Sequence, residues 1–130
     1  MEYKEPIVEN IKVAYLRKNG YINLIKWLES PDHMYIGRQM QYVNGATDSK
    51  WKNPFPVEKY GRDKCLELYE KYIRDTPELW NSIEELNHMC LGCWCVPERC
   101  HGHILQKLFN EKIALKREPL KENTIVEPLK

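Results

Sequence analysis

Hydrophobic positions change period several times along the chain. Residues 1–9 (MEYKEPIVE) show no period and read as part of a leader over 1–10. Residues 11–16 (IKVAYL) are β-branched and aromatic, which predicts a strand, and Gly20 breaks it. In 21–29, Tyr21, Leu24, Ile25 and Leu28 recur at helical spacing, so a short helix is expected before Ser30-Pro31-Asp32. Residues 33–37 (HMYIG) predict a second strand. From 38 to 60 no period is sustained, and long irregular segments in compact domains are often functional. Asp63 is placed to cap a helix with the stripe Cys65, Leu66, Tyr69, Tyr72 and Ile73. Thr76-Pro77 starts another, running to about Leu86. Residues 88–95 (HMCLGCWC) read as a buried strand. From Cys100 a last helix carries Ile104, Leu105, Leu108, Phe109 and Ile113, and a tail over 116–130 is expected to fray.

This order predicts an α/β fold: a small, mainly parallel sheet flanked by helices in one Rossmann-like domain over 11–115. Ligands of such sheets gather outside the carboxyl ends of the strands. Here those ends are Leu16-Arg17, Gly37-Arg38 and Trp94-Cys95.

Composition narrows the class. The chain has 130 residues, 42% of them hydrophobic, with four Trp and eight Tyr, which argues against disorder. A net charge of +1 gives no general attraction to nucleic acid. No apolar run approaches the roughly 18 residues that span a bilayer, so no membrane partner is expected. The first twenty residues do not read as a signal peptide. Five cysteines, four of them within residues 90–100, do not resemble a secreted disulfide framework. Reduced thiols and a cytoplasmic setting follow as expectations.

Two constellations carry candidate chemistry. In Cys93-Trp94-Cys95-Val96-Pro97-Glu98-Arg99-Cys100-His101, the two cysteines of a strand end share a face, and Cys100-His101 opens a helix. Three readings compete. One is a zinc site from Cys93, Cys95, Cys100 and His101, with His103 as an alternative ligand. The second is a thiolate or anion site at a helix N-terminus, where Cys95, Cys100 and His101 would be catalytic. The third is small cysteines filling a tight corner, with His101 capping the helix. Because adjacent residues rarely reach one ion, no bound metal is expected. The second constellation joins Tyr35-Ile36-Gly37-Arg38 to Ser49-Lys50-Trp51-Lys52-Asn53-Pro54-Phe55. Between Ile36 and Lys64 lie six basic and three acidic residues, interleaved with aromatics. That mixture suits a phosphate-bearing, stackable ligand. Gly37 would permit close backbone approach and Arg38 offers a bidentate fork. The competing reading is a loop pinned to the core by Trp51 and Phe55.

Four ordered segments carry a family resemblance: Tyr-Ile-Gly-Arg at 35–38, Ser-Lys-Trp-Lys-Asn-Pro-Phe at 49–55, Tyr-Gly-Arg-Asp at 60–63 and Leu-Gly-Cys-Trp-Cys-Val-Pro-Glu-Arg-Cys-His-Gly at 91–102. Over about residues 11–110 the chain resembles the domain-of-unknown-function family 4326, small α/β domains of phages, large DNA viruses, bacteria and some eukaryotes. Lys52 departs from the family pattern, which has Gly there. The resemblance implies a site at these motifs, and its viral context implies a nucleotide-linked role in an infected cell. The expected ligand is therefore nucleotide-like or phosphate-bearing, with nucleic acid as a second candidate. Arg38, Lys50, Asn53, Arg62 and Asp63 would bind it, Trp51 would wall the pocket, and no cofactor is named. A non-catalytic adaptor or nucleotide-sequestering module, zinc-stabilised or not, is the rival. If both strands end on one edge of a parallel sheet, Arg38, Asn53 and Cys100 or His101 should line a single pocket.

Overall fold

A computed structural model describes residues 2–126, with side chains through Arg117. Three parallel strands form its sheet: β1 (Ile7–Asn10), β2 (His33–Tyr35) and β3 (Cys90–Cys93), in the order β1-β3-β2. Strand β3, last in sequence, is central. Cys90 is level with Ile7 on one side and His33 on the other, and Cys93 is level with Asn10. The expected α/β, Rossmann-like single domain is thus the observed one, and all its strands are parallel.

Two elements begin elsewhere than the sequence pattern predicts. The first strand is 7–10, inside the segment read as leader, and 13–18 is helix α1 (Val13–Lys18). Asn10 is the physical reason. Its side-chain oxygen accepts from the Lys12 amide at 2.8 Å, turning the chain out of the sheet. Val13 and Tyr15 then stay about half exposed, so their strand propensity has no buried face to serve. Helix α2 (Leu24–Trp27) follows, capped by Asn23. Most of the irregular segment predicted over 38–60 is irregular, ending in α3 (Val57–Tyr60).

Helix α4 (Arg62–Asp75) starts at Gly61, whose φ of 79° no capping Asp is needed to explain; Asp63 lies in the first turn and pairs with Arg99. The helix predicted from Thr76 to Leu86 is split into α5 (Pro77–Trp80) and a 3-10 turn (Ile83–Leu86). Thr76 donates its hydroxyl back to the Tyr72 carbonyl, closing α4 instead of capping α5. Helix α6 (His101–Val126) continues through Pro119 where a fraying tail was expected; Pro128 lies outside the described residues.

The period of two in the strands sorts the core into two clusters. Leu91, Cys93 and Ile36 point to the α4/α6 side, with Tyr69, Ile73, Leu105, Leu108 and Phe109. Tyr35 points to the α1/α2 side, with Ile11, Leu16, Leu24 and Trp27. Gly92 lies between them on the central strand. A Cβ there would sit 2.8 Å from Ile11 Cγ2 and 2.9 Å from the Trp27 ring. Gly92→Ala is therefore expected to destabilise by about 1–3 kcal/mol through overpacking. Gly102→Ala, whose Cβ would meet movable aliphatic ends at 3.0 Å, should cost less. Urea titrations of the two variants check the order.

Candidate functional site

Strands β2 and β3 end side by side, and the N-terminus of α6 returns to the same edge. A cavity of about 120 Å³ opens there, lined among others by Arg38, Asn53, Arg62, Cys95, Cys100 and His101. The one-pocket expectation holds geometrically. Lys50, Trp51 and Asp63 are not in this lining.

Trp51 is buried, with 1% of its surface exposed, and its Nε1 donates to Glu85 at 3.1 Å. Lys50 pairs with the other oxygen of Glu85 at 2.9 Å, and the Tyr69 hydroxyl donates to the Trp51 carbonyl at 2.6 Å. The Ser-Lys-Trp segment thus pins the long loop to the core and does not wall the pocket. Asn53 does reach the cavity. Its oxygen accepts from the Phe55 amide at 2.9 Å and its Nδ2 lies 3.7 Å from Cys65 Sγ. Lys52 is tied to Asp48.

The Tyr-Ile-Gly-Arg segment also has an internal duty. A Cβ on Gly37 would lie 2.5 Å from the Tyr35 hydroxyl oxygen, so the glycine makes room for that phenol while its backbone lines the cavity. The Tyr35 hydroxyl donates to the Arg38 carbonyl and accepts from Trp94 Nε1 at 3.0 Å. The Arg38 side chain is left exposed at the cavity mouth, with no ion pair among the described residues. Arg62 is committed instead. Its guanidinium donates to the Arg99 carbonyl at 2.7 Å and to Glu98 at 2.8 Å, and it lies beside the Cys95 sulfur, which raises its pKa. Together with Asp63–Arg99, it clasps the loop 94–99 to the start of α4.

At the cavity floor Cys93 Sγ, Cys100 Sγ and a ring nitrogen of His101 all lie within 4.8 Å of one another. The two sulfurs are 2.9 Å apart, and neither is in a disulfide. Adjacency of Cys100 and His101 does not keep them from one point, which corrects the ground for expecting no metal. Cys100 sits just before α6 and acts as its N-cap. The His103 amide donates to the Cys100 carbonyl at 2.9 Å, and the Cys100 N–H donates to His103 Nδ1 at 3.1 Å. The second bond is the return half of a capping box, with imidazole in place of carboxylate. The cap is therefore His103, not His101 as in the bland sequence reading. His101, free of that duty, sends Nε2–H to the Ile36 carbonyl at 2.6 Å and lies edge-on to Tyr69. That bond leaves Nδ1 as the nitrogen with a free lone pair.

Electrostatics favours anionic sulfur here. Hydrogen bonding from Cys93 pulls the Cys100 thiol pKa down, and the helix amides add to it. The same donor, followed by Arg62, draws Cys95 down to about 6. Cys93, the shared donor, is pushed up. Burial holds His101 down to about 4, so its imidazole is neutral. Cys65, buried on the α4 stripe, is raised. Sequence reasoning left Cys93 out of the catalytic set, although its period-two relation to Cys95 was visible; Tyr69 and the Ile36 carbonyl carried no signal.

The "Domain of unknown function (DUF4326)" model matches residues 22–111, and the chain belongs to that family. It is 40% identical over 86 residues to "Uncharacterized protein R718" of Acanthamoeba polyphaga mimivirus, which covers 58% of this chain and 65% of that protein, just under two thirds. It is 34% identical over 77 residues to the "Uncharacterized 12.4 kDa protein in nrdA-td intergenic region" of Enterobacteria phage T4, covering 53% of this chain and 71% of the other. No solved structure matches significantly. Among the described residues, no helix is long and apolar enough to cross a membrane.

The clasp generates a prediction. Arg62→Ala should speed amide hydrogen exchange in 95–99 by about tenfold, since a charged hydrogen bond is worth about 1.5 kcal/mol. Arg38→Ala should leave those amides unchanged. Exchange mass spectrometry reads both.

Proposed function

We propose that this chain is a zinc-stabilised, non-catalytic binding module whose cavity holds a phosphate-bearing group. The carrying observation is the convergence of Cys93, Cys100 and His101 on one point. Two soft sulfurs and a neutral imidazole suit zinc over magnesium or calcium, which prefer oxygen. His101 also has the outer hydrogen bond that orients a metal-ligating histidine, from Nε2 to a backbone carbonyl. An ion at about 2.3 Å from each sulfur sets them about 3.8 Å apart, so the observed 2.9 Å pair opens by under about 1 Å.

Cavity size argues against an engulfed nucleotide. About 120 Å³ is the room of about four waters at roughly 30 Å³ each. It admits a phosphate-sized group beside Arg38, with the remainder of the ligand outside. Relatives from a giant virus and a phage support a setting in an infected cell, where cytosolic thiols stay reduced and available to metal.

Protein purified without chelator should carry about one zinc per chain, and stripping it should lower the melting temperature by at least about 10 °C, because metal binding is folding free energy. Cys100→Ser should do the same. Metal-free wild type of unchanged stability overturns the zinc reading. For the ligand, Arg38→Ala should weaken binding of a nucleoside triphosphate about tenfold by thermal-shift titration. No shift of the wild type with nucleoside mono-, di- or triphosphates removes that half of the proposal.

A further inference from the structure

The three converging donors leave a tetrahedral ion one ligand short. What fills the fourth position decides whether the metal is structural or has an open site for chemistry. We infer that Cys95 is the fourth ligand, so that the site is a closed Cys3His centre that joins the end of β3 to the start of α6. The inference rests on the proposed zinc site.

Four observations carry it. Cys95 lies two residues beyond Cys93, just past the end of β3, and packs on the same α4/α6 cluster as Cys93. Its backbone N–H already donates to Cys93 Sγ at 3.3 Å, the kind of amide–sulfur bond that supports a bound thiolate. The other nearby donors are engaged. His103 Nδ1 accepts from the Cys100 amide, and Glu98 is held by Arg62. Cys90 packs on the opposite face of the sheet. The fourth observation is charge. Three thiolates, one neutral imidazole and a divalent ion carry a net charge of −1. The Arg62 guanidinium, which also pairs with Glu98 at 2.8 Å, lies beside the Cys95 sulfur and offsets part of that charge. Arg62 is then a positioning residue, holding loop 94–99 so that Cys95 reaches the ion.

Metal binding displaces the thiol protons of Cys93, Cys95 and Cys100 to solvent, and no electrons move. The ion has no exchangeable position, which accounts for a binding module without turnover.

Cobalt(II) substitution tests this on the full chain. Wild type should give a tetrahedral d–d spectrum with intense sulfur-to-metal charge transfer. Cys95→Ser should lose about a third of that charge transfer, as three thiolates become two. X-ray absorption of the wild-type zinc protein, which needs no variant to fold, should return about three sulfurs and one nitrogen per ion. A Cys95→Ser spectrum identical to wild type, or a wild-type shell of two sulfurs and two light atoms, overturns the closed site while leaving zinc binding intact. Wild type that takes up no cobalt and no zinc overturns both the site and the reading beneath it.

Discussion

The central strand is the constraint on which the rest depends. β3 is bonded on both edges, to β1 and to β2, and both of its faces are covered. A strand so enclosed has little freedom in side-chain size. On one face Gly92 leaves room for Trp27 and Ile11; on the other, Leu91 and Cys93 meet the α4/α6 core. Because β3 leads directly into the loop 94–99, whatever fixes β3 also fixes where Cys95 begins. The two clasps on that loop, Arg62 to Glu98 and the Arg99 carbonyl, and Asp63 to Arg99, then return the chain to the sheet edge as α6 starts. The site is the meeting of a rigid strand end with a helix start, joined by a short, tied loop.

Most of the motif residues serve that meeting and not the solvent. Tyr35 fills the space that Gly37 vacates, Trp51 anchors the long loop through Glu85, and His103 closes the helix cap. Each is a buried or half-buried polar group with a partner, as desolvation requires. No buried side-chain nitrogen or oxygen among the described residues lacks one. Against that background Arg38 stands out, since it alone among the motif cations at the cavity has no ion pair among the described residues. Sulfur is the other exception. Cys93 and Cys100 face each other at 2.9 Å beside the His101 ring, and neither is in a disulfide.

How much of this the sequence disclosed follows from the range of the signals. The order of elements after residue 20 was legible because helical stripes such as Leu105, Leu108, Phe109 and Ile113 are local patterns. The edge shared by Arg38, Asn53 and Cys100 was legible because parallel strands put their carboxyl ends together. The first strand was not. Ile7–Asn10 is an edge strand with one exposed and three partly buried residues and no alternation to display, whereas Val13 and Tyr15 have strand propensity but no buried face. The pocket-wall role expected of Trp51 fails for a different reason. Its place depends on Glu85, a partner far along the chain, which a motif does not show.

The adjacency of Cys100 and His101 carries the last lesson. On a strand, neighbours point to opposite faces, and within a helix they diverge by about 100° at 3.6 residues per turn. Either geometry separates their donors. A helix boundary obeys neither rule. Cys100 keeps the non-helical backbone of the residue before the helix, and its sulfur lies 2.9 Å from that of Cys93. His101 is the first helical residue, and its ring is drawn toward the sheet by the Ile36 carbonyl at the end of β2. One donor is turned by the helix, the other by the neighbouring strand, and they arrive at one point because β2 and α6 meet there. Sequence adjacency thus becomes a way to fix two donors with one backbone turn, provided that a carbonyl from another element orients the second. The glycine that follows completes the arrangement. At Gly102 a Cβ would press at 3.0 Å on Ile36 and Val8, so the smallest residue lets the helix start approach the two strands closely enough for His101 to reach its carbonyl.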